Sequence, residues 1–144
     1  MDLKTILEMW SVDSIIEETS LDEASRQSPI LHAKYLELHS LTRLRLKKAE
    51  QKQKILLKEK WLYYNGKMDH SEIIEKGWEP DPFNGLKILK GEMDYYYDAD
   101  PEIQQTVEAI EYLKTIMDTL KEVIDNVKWR HQTIGNMIKW RVFQ

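Results

Sequence analysis

Residues 100–127 read DPEIQQTVEAIEYLKTIMDTLKEVIDNV. Asp100 is a helix cap, Pro101 stands where a missing amide donor costs nothing, and Glu102 puts an acid in the first turn. Behind that start, Ile103, Val107, Ile110, Leu113, Met117, Leu120, Ile124 and Val127 recur at spacings of 4, 3, 3, 4, 3, 4 and 3. This heptad-like seam predicts one long helix over residues 101–142, with Ile134, Ile138 and Val142 extending it past a bend at Gly135.

A second long helix is predicted over residues 29–64. Ser28-Pro29 has the form of a helix start, and nothing breaks the pattern until Asn65-Gly66. Leu31, Tyr35, Leu38, Leu46, Ala49, Leu56 and Tyr64 fall in one arc at about 100° per residue, interrupted by Thr42, Gln53 and Lys60. A helix of roughly 54 Å, at 1.5 Å per residue, cannot fold back on its own core and must pack on another long helix or another subunit. Residues 1–18 read as short helical turns with Leu3, Ile6, Leu7 and Trp10 on one side, followed by a cap at Thr19-Ser20. Residues 66–100 form a connecting segment that holds four of the five glycines together with Pro80 and Pro82. Its turn signals suit an irregular arm or a small β-hairpin across Leu86–Lys90 and Met93–Tyr97. The expected fold is mainly all-α: one helical domain over residues 1–144, thin enough in its core to oligomerise.

The chain has 144 residues, no cysteine and a formal net charge of −4. Disulfides and thiolate metal sites are excluded. With no apolar run long enough to cross a bilayer and no signal-like N-terminus, the expectation is a soluble cytoplasmic protein without a membrane partner. The net charge hides segregation. Residues 1–25 carry seven acids and one base, residues 41–67 nine bases and two acids, residues 68–125 fifteen acids and five bases, and residues 126–144 four bases and no acid.

The basic block carries the functional signal. Arg43, Lys47, Lys54 and Lys58 share a stripe about 60° wide on a helical wheel, and Trp61 continues it. Lys48 and Lys60 lie on the same helix, and Tyr63, Tyr64 and Lys67 follow at its end. Cations release counterions from phosphates, and flat aromatic faces take unstacked bases, so this mixture suits single-stranded nucleic acid without base reading. A solvated coiled-coil face is the plainer alternative, yet only Glu50 and Glu59 balance the block. Like charges at 43/47, 48/52 and 54/58 then repel. Trp129-Arg130 and Trp140-Arg141 form a second basic–aromatic pair, better suited to a subunit interface.

No catalytic or cofactor motif accompanies these features. His32 and His39 lack a completing acid, Asp94, Asp98 and Asp100 sit beside turns and a cap, and no P-loop, GxGxxG, HExxH or serine elbow occurs. The expectation is no enzyme activity, no cofactor and no metal. A helical oligomeric scaffold without nucleic acid is the competing class.

The stretches Lys47-Lys48-Ala49-Glu50-Gln51-Lys52 and Leu57-Lys58-Glu59-Lys60-Trp61-Leu62-Tyr63-Tyr64-Asn65-Gly66-Lys67 resemble the UvsY family, the recombination mediators of T4-type phages. Lys34-Tyr35-Leu36, Leu86-Lys87 to Asp98, and Trp129-Arg130 to Phe143 are similar more loosely. The resemblance implies a helical protein that forms ring-like or open-barrel homo-oligomers in the host cell cytoplasm. It implies binding to single-stranded DNA and to the single-strand-binding protein, and help for a RecA-like recombinase in displacing the latter. It places the family's DNA-contacting basic pair on Lys58 and Lys60. The second of these is lysine where a family member carries arginine, which keeps the charge and loses the forked hydrogen bonding.

Overall fold

The computed structural model describes residues 1–143. Its elements are α1 (Leu3–Asp13), a single 3-10 turn (Glu18–Ser20), α2 (Leu21–Tyr64), α3 (His70–Glu75), α4 (Met93–Ala99) and α5 (Pro101–Phe143). No strand occurs among the described residues. The small hairpin expected within 66–100 is therefore absent. Met93–Tyr97 is helical, and Leu86–Leu89 has no regular structure. Met93–Ala99 holds no β-branched residue and carries Asp94 in its first turn, which suits a short helix.

The helix expected from Pro29 begins eight residues earlier, at Leu21, and Pro29 lies inside it. An interior proline removes one ladder hydrogen bond and costs about 3 kcal/mol. Tertiary packing offsets that cost: Leu21 and Ala24 are buried with Ile134, with Ile16 and Met137 packed alongside. The preceding turn also holds itself locally, since Arg26 pairs with Glu23 at 2.9 Å and Gln27 donates to the same carboxylate at 2.9 Å. The start of α5 agrees with the sequence expectation. Asp100 Oδ1 accepts the Glu102 and Ile103 amides at 2.9 and 3.1 Å, and the helix then runs without interruption through Gly135 to Phe143.

The chain divides into two compact units, residues 1–46 with 112–144 and residues 47–111. In the first, Ile6 of α1, Leu31 and Tyr35 of α2, and Ile116, Leu120, Val123, Ile124 and Val127 of α5 form the core. The heptad seam accounts for Leu120, Ile124 and Val127; Ile116 and Val123 fall beside it. They are buried because α1 supplies a third helix, which widens the apolar face beyond the narrow strip that a two-stranded coiled coil needs. Tyr35 is fully buried, meets Trp10 edge-on at 5.5 Å and donates its hydroxyl to Asp13 at 2.8 Å, where Lys34 also pairs at 2.6 Å. Arg130, half of an expected basic–aromatic surface pair, instead turns inward. Its guanidinium donates to the carbonyls of Asp13, Ser14 and Ile15 at 3.3–3.4 Å, where α1 ends and its carbonyls are unpaired.

Leu120 is fully buried in this core. Leu120→Ala is expected to cost about 2–5 kcal/mol of unfolding free energy, measured by urea titration of the helical circular dichroism. Leu44→Ala, on the exposed side of α2, is expected to stay within about 0.5 kcal/mol when the same titration is run on single chains.

Candidate nucleic-acid interface

The second unit contains the end of α2, the connecting segment and the first turns of α5. Helix α2 stops in a glycine turn. Gly66 takes φ +69°, the Lys67 amide bonds the Leu62 carbonyl at 2.8 Å, and the Gly66 amide bonds the Tyr63 carbonyl at 3.2 Å. This crossed pair of bonds satisfies the last carbonyls of the helix and requires a left-handed residue, which glycine supplies without strain. The same device ends α3, with Gly77 at φ +73°, the Trp78 amide bonded to Ile73 at 3.1 Å and the Gly77 amide bonded to Ile74 at 3.0 Å. It delivers Trp78 onto Tyr63, ring to ring at 4.9 Å.

Lys47, Lys48, Lys54 and Lys58 are exposed along this part of α2, and Trp61, at 41% exposure, continues the side that Lys47, Lys54 and Lys58 share. Lys67, past the glycine turn, sets its ammonium 4.7 Å from the centre of the Trp61 ring. Among the described residues, none of these lysines forms an ion pair. Glu59, one of the two acids in the block, is taken by Lys76 at 3.1 Å. The charge thus stays available for an external anion. Arg43 is also exposed, on the stretch of α2 that belongs to the other unit.

Lys60 is different. The family resemblance pairs it with Lys58 as a strand contact, but its side chain turns inward and only 4% of the residue is exposed. It pairs with Asp100 at 2.9 Å and, more weakly, with Glu102 at 3.4 Å, and its ammonium lies 3.9 Å from the centre of the Trp78 ring. Position 60 belongs to the buried arc of α2. A lysine there keeps its charge only beside a carboxylate of matching depth, and Asp100 is 3% exposed. The other polar residue of that arc in this unit is satisfied in the same way, Gln53 donating to Thr106 at 3.1 Å. In the first unit, Thr42 donates to the Leu38 carbonyl at 2.8 Å.

Asp100 serves two elements. One oxygen caps α5, and the other accepts Lys60 and the Tyr64 hydroxyl, the latter at 2.6 Å. Burial opposes its charge, but the hydrogen bonds from Tyr64, Lys60 and the Ile103 amide outweigh burial and hold the carboxyl below its ordinary value. Tyr64 is correspondingly raised, by burial first and then by its bond to Asp100. The capping role of Asp100 is plain from its neighbours in sequence, whereas its second role is not. The partners lie 40 residues apart (60 to 100) and carry no local signal. Trp78 is hidden in the sequence as well; its one clue is a glycine followed by an aromatic after a short helical run.

The second unit thus presents an exposed cationic helix face with an aromatic residue at its end, where a glycine turn stops the helix. The family profile described as "Recombination, repair and ssDNA binding protein UvsY" matches residues 9–144, and the chain belongs to that family. The recombination protein uvsY of Enterobacteria phage T4 is 24% identical over 144 residues, which cover 100% of this chain and 98% of that protein. Crystal structures of the phage T4 recombination mediator protein UvsY share the fold. One superposes with a TM-score of 0.84 at 24% identity, covering 99% of this chain and 97% of that one, and a second crystal form gives 0.82 at 23%, covering 99% and 98%.

Lys60→Met leaves Asp100 buried without its cation. It is expected to cost about 3–5 kcal/mol, against less than about 0.5 kcal/mol for Lys58→Ala, both read from denaturation midpoints. Because Asp100 has a lowered pKa when folded, the unfolded chain takes up the proton first as the pH drops. The stability it contributes is complete at neutral pH and is lost as the pH falls through the ordinary carboxylate value of 3.8 toward the lowered one. Asp100→Asn is expected to flatten that part of the stability–pH profile in urea titrations.

Proposed function

We propose that this protein binds single-stranded DNA without catalysis and acts as a recombination mediator, easing a RecA-like recombinase onto strand covered by single-strand-binding protein. The observation that supports this best is the run of exposed, unpaired cations on α2 (Lys47, Lys48, Lys54 and Lys58) ending in the Trp61–Lys67 stack. Cations along such a run release the counterions condensed on phosphates, and the indole takes an unstacked base, with no fork of donors aimed at base edges. Lys60 acts here as a positioning residue, fixing the start of α5 and the aromatic end of α2 so that Lys58, Trp61 and Lys67 hold their places.

Weak single contacts gain affinity when repeated, so the protein works as a homo-oligomer, a ring or open barrel. Support comes from the apolar side chains left in water: Trp129 is 65% and Trp140 67% exposed, with Val142 and Phe143 following. A run of large apolar groups at the end of one helix is the composition of a subunit contact. The site of action is the host cell cytoplasm; among the described residues, no helix is long and apolar enough to cross a membrane.

Binding of labelled oligo-dT across a salt series, with a duplex control, tests the reading. Tighter binding of the single strand is expected, with an affinity that falls steeply with salt. Lys54→Ala with Lys58→Ala is expected to make the slope shallower by about 0.7 for each phosphate that is no longer neutralised. No binding at low salt, or a slope unchanged in the double variant, would overturn the assignment. In light scattering, Trp129→Ser with Trp140→Ser is expected to shift the particle mass toward the single chain while helicity is kept.

A further inference from the structure

Beyond the cationic face, the second unit contains a cleft of about 570 Å³ between the end of α2 and the connecting segment. Tyr64, Met68, Phe83 and Ile88 contribute to its walls, and Lys67 and Lys87 line it as well. The volume lies within the range of small-molecule sites, which run from about 300 to 1,000 Å³ and combine apolar walls with a few polar groups.

The cleft's walls are held from several directions. Phe83 packs edge-on against Tyr96 at 4.7 Å and against Tyr64 at 5.7 Å, and Tyr64 is tied through its hydroxyl to Asp100. The turn that carries Phe83 is closed by the Gly85 amide donating to Asp81 Oδ1 at 3.0 Å. The aromatic hydroxyls are already spent: Tyr63 donates to the Glu79 carbonyl and Tyr64 to Asp100. The tyrosines therefore offer surface to an occupant and no fresh donor. Lys67, which lines the cleft, also stacks on Trp61, so the cleft opens where the exposed lysine run of α2 ends. An occupant must lay a flat face against Tyr64 and Phe83, carry polar edges that Asn65, His70 and Asp81 of the same lining can meet, and be attached to negative charge that Lys67 and Lys87 can meet. An unstacked nucleobase on its own phosphate backbone fulfils all of these.

We propose that this cleft takes a nucleobase flipped out of the single strand, while the flanking phosphates lie on Lys58, Lys67 and Lys87. The proposal rests on the single-strand-binding reading and adds to it a base-engaging subsite separate from Trp61. It makes binding depend on the presence of bases, since every base has an aromatic face that Tyr64 and Phe83 can meet.

The test compares oligo-dT with an abasic sugar–phosphate strand of equal length at fixed salt, on the wild-type protein and on Phe83→Ala, Ile88→Trp and Trp61→Ala. Wild type is expected to prefer the base-bearing strand by roughly ten-fold or more, the range for stacking of one base. Phe83→Ala, which removes a wall, and Ile88→Trp, which fills the space, are expected to shrink that ratio severalfold and leave abasic binding and its salt slope unchanged. Ile88 lies in a stretch without regular structure, so its variant reports on the cleft even where Phe83→Ala loosens the turn. Equal binding of both strands by wild type overturns the proposal and leaves the electrostatic reading standing. A base preference that survives both cleft variants and disappears in Trp61→Ala overturns it in favour of the indole. Failure of wild type to bind either strand refutes the single-strand-binding reading itself, and the subsite with it.

Discussion

The Lys60–Asp100 pair ties together what the second unit presents to its surroundings. A buried ion pair is a poor source of net stability, because desolvation of both charges consumes most of the Coulomb gain. Its value here is geometric. Asp100 caps α5 with one oxygen and holds Lys60 and Tyr64 with the other, so the register between the two helices and the position of the aromatic cleft are set by one carboxylate. Trp78 covers the ammonium from the remaining side, at 3.9 Å. A hydrophobic pair at these positions would pack as well but would not specify which residue of α2 faces the start of α5.

The two lysines at 58 and 60 illustrate how side-chain direction divides labour on one helix. They are two residues apart, about 200° around the axis, and so cannot share a face. Lys58 looks into solvent beside Lys54, whereas Lys60 looks into the core. Along the sequence they read as one basic pair. In three dimensions one is free for an anion and the other is committed to an internal carboxylate. The same division occurs at the far end of the chain, where Arg130 is drawn inward to the carbonyls ending α1 and its neighbour Trp129 stays in water.

Flexible-looking composition in residues 66–100 conceals a tied segment. Two glycine-terminated helix ends, an aspartate-closed turn and the aromatic contacts among Tyr63, Tyr64, Trp78, Phe83 and Tyr96 hold it without a strand ladder. Small units with little apolar surface commonly rely on such aromatic contacts, since each ring buries a large area for few rotatable bonds.

The two long helices were legible because their signals are local and periodic. The cap-proline-acid start at 100–102, the 3-4 spacing that follows, the glycine stop at 66 and the clustering of bases at 43–67 all lie within a few turns of chain. Where expectation and structure part, the deciding partner is distant. Pro29 is carried inside α2 because Leu21 and Ala24 reach Ile134, more than a hundred residues further along the chain. Ile116 and Val123 are buried in one cluster with Ile6 of α1 and Tyr35 of α2. Lys60 turns inward because Asp100 waits at matching depth, and the cleft exists because Phe83 is brought back to Tyr64. Backbone period and charge, both written in the order of residues, are enough to specify most of the two long helices and the clustering of bases on one of them. Which of those charges remain free is settled in three dimensions, because pairing and burial depend on residues that periodicity does not connect.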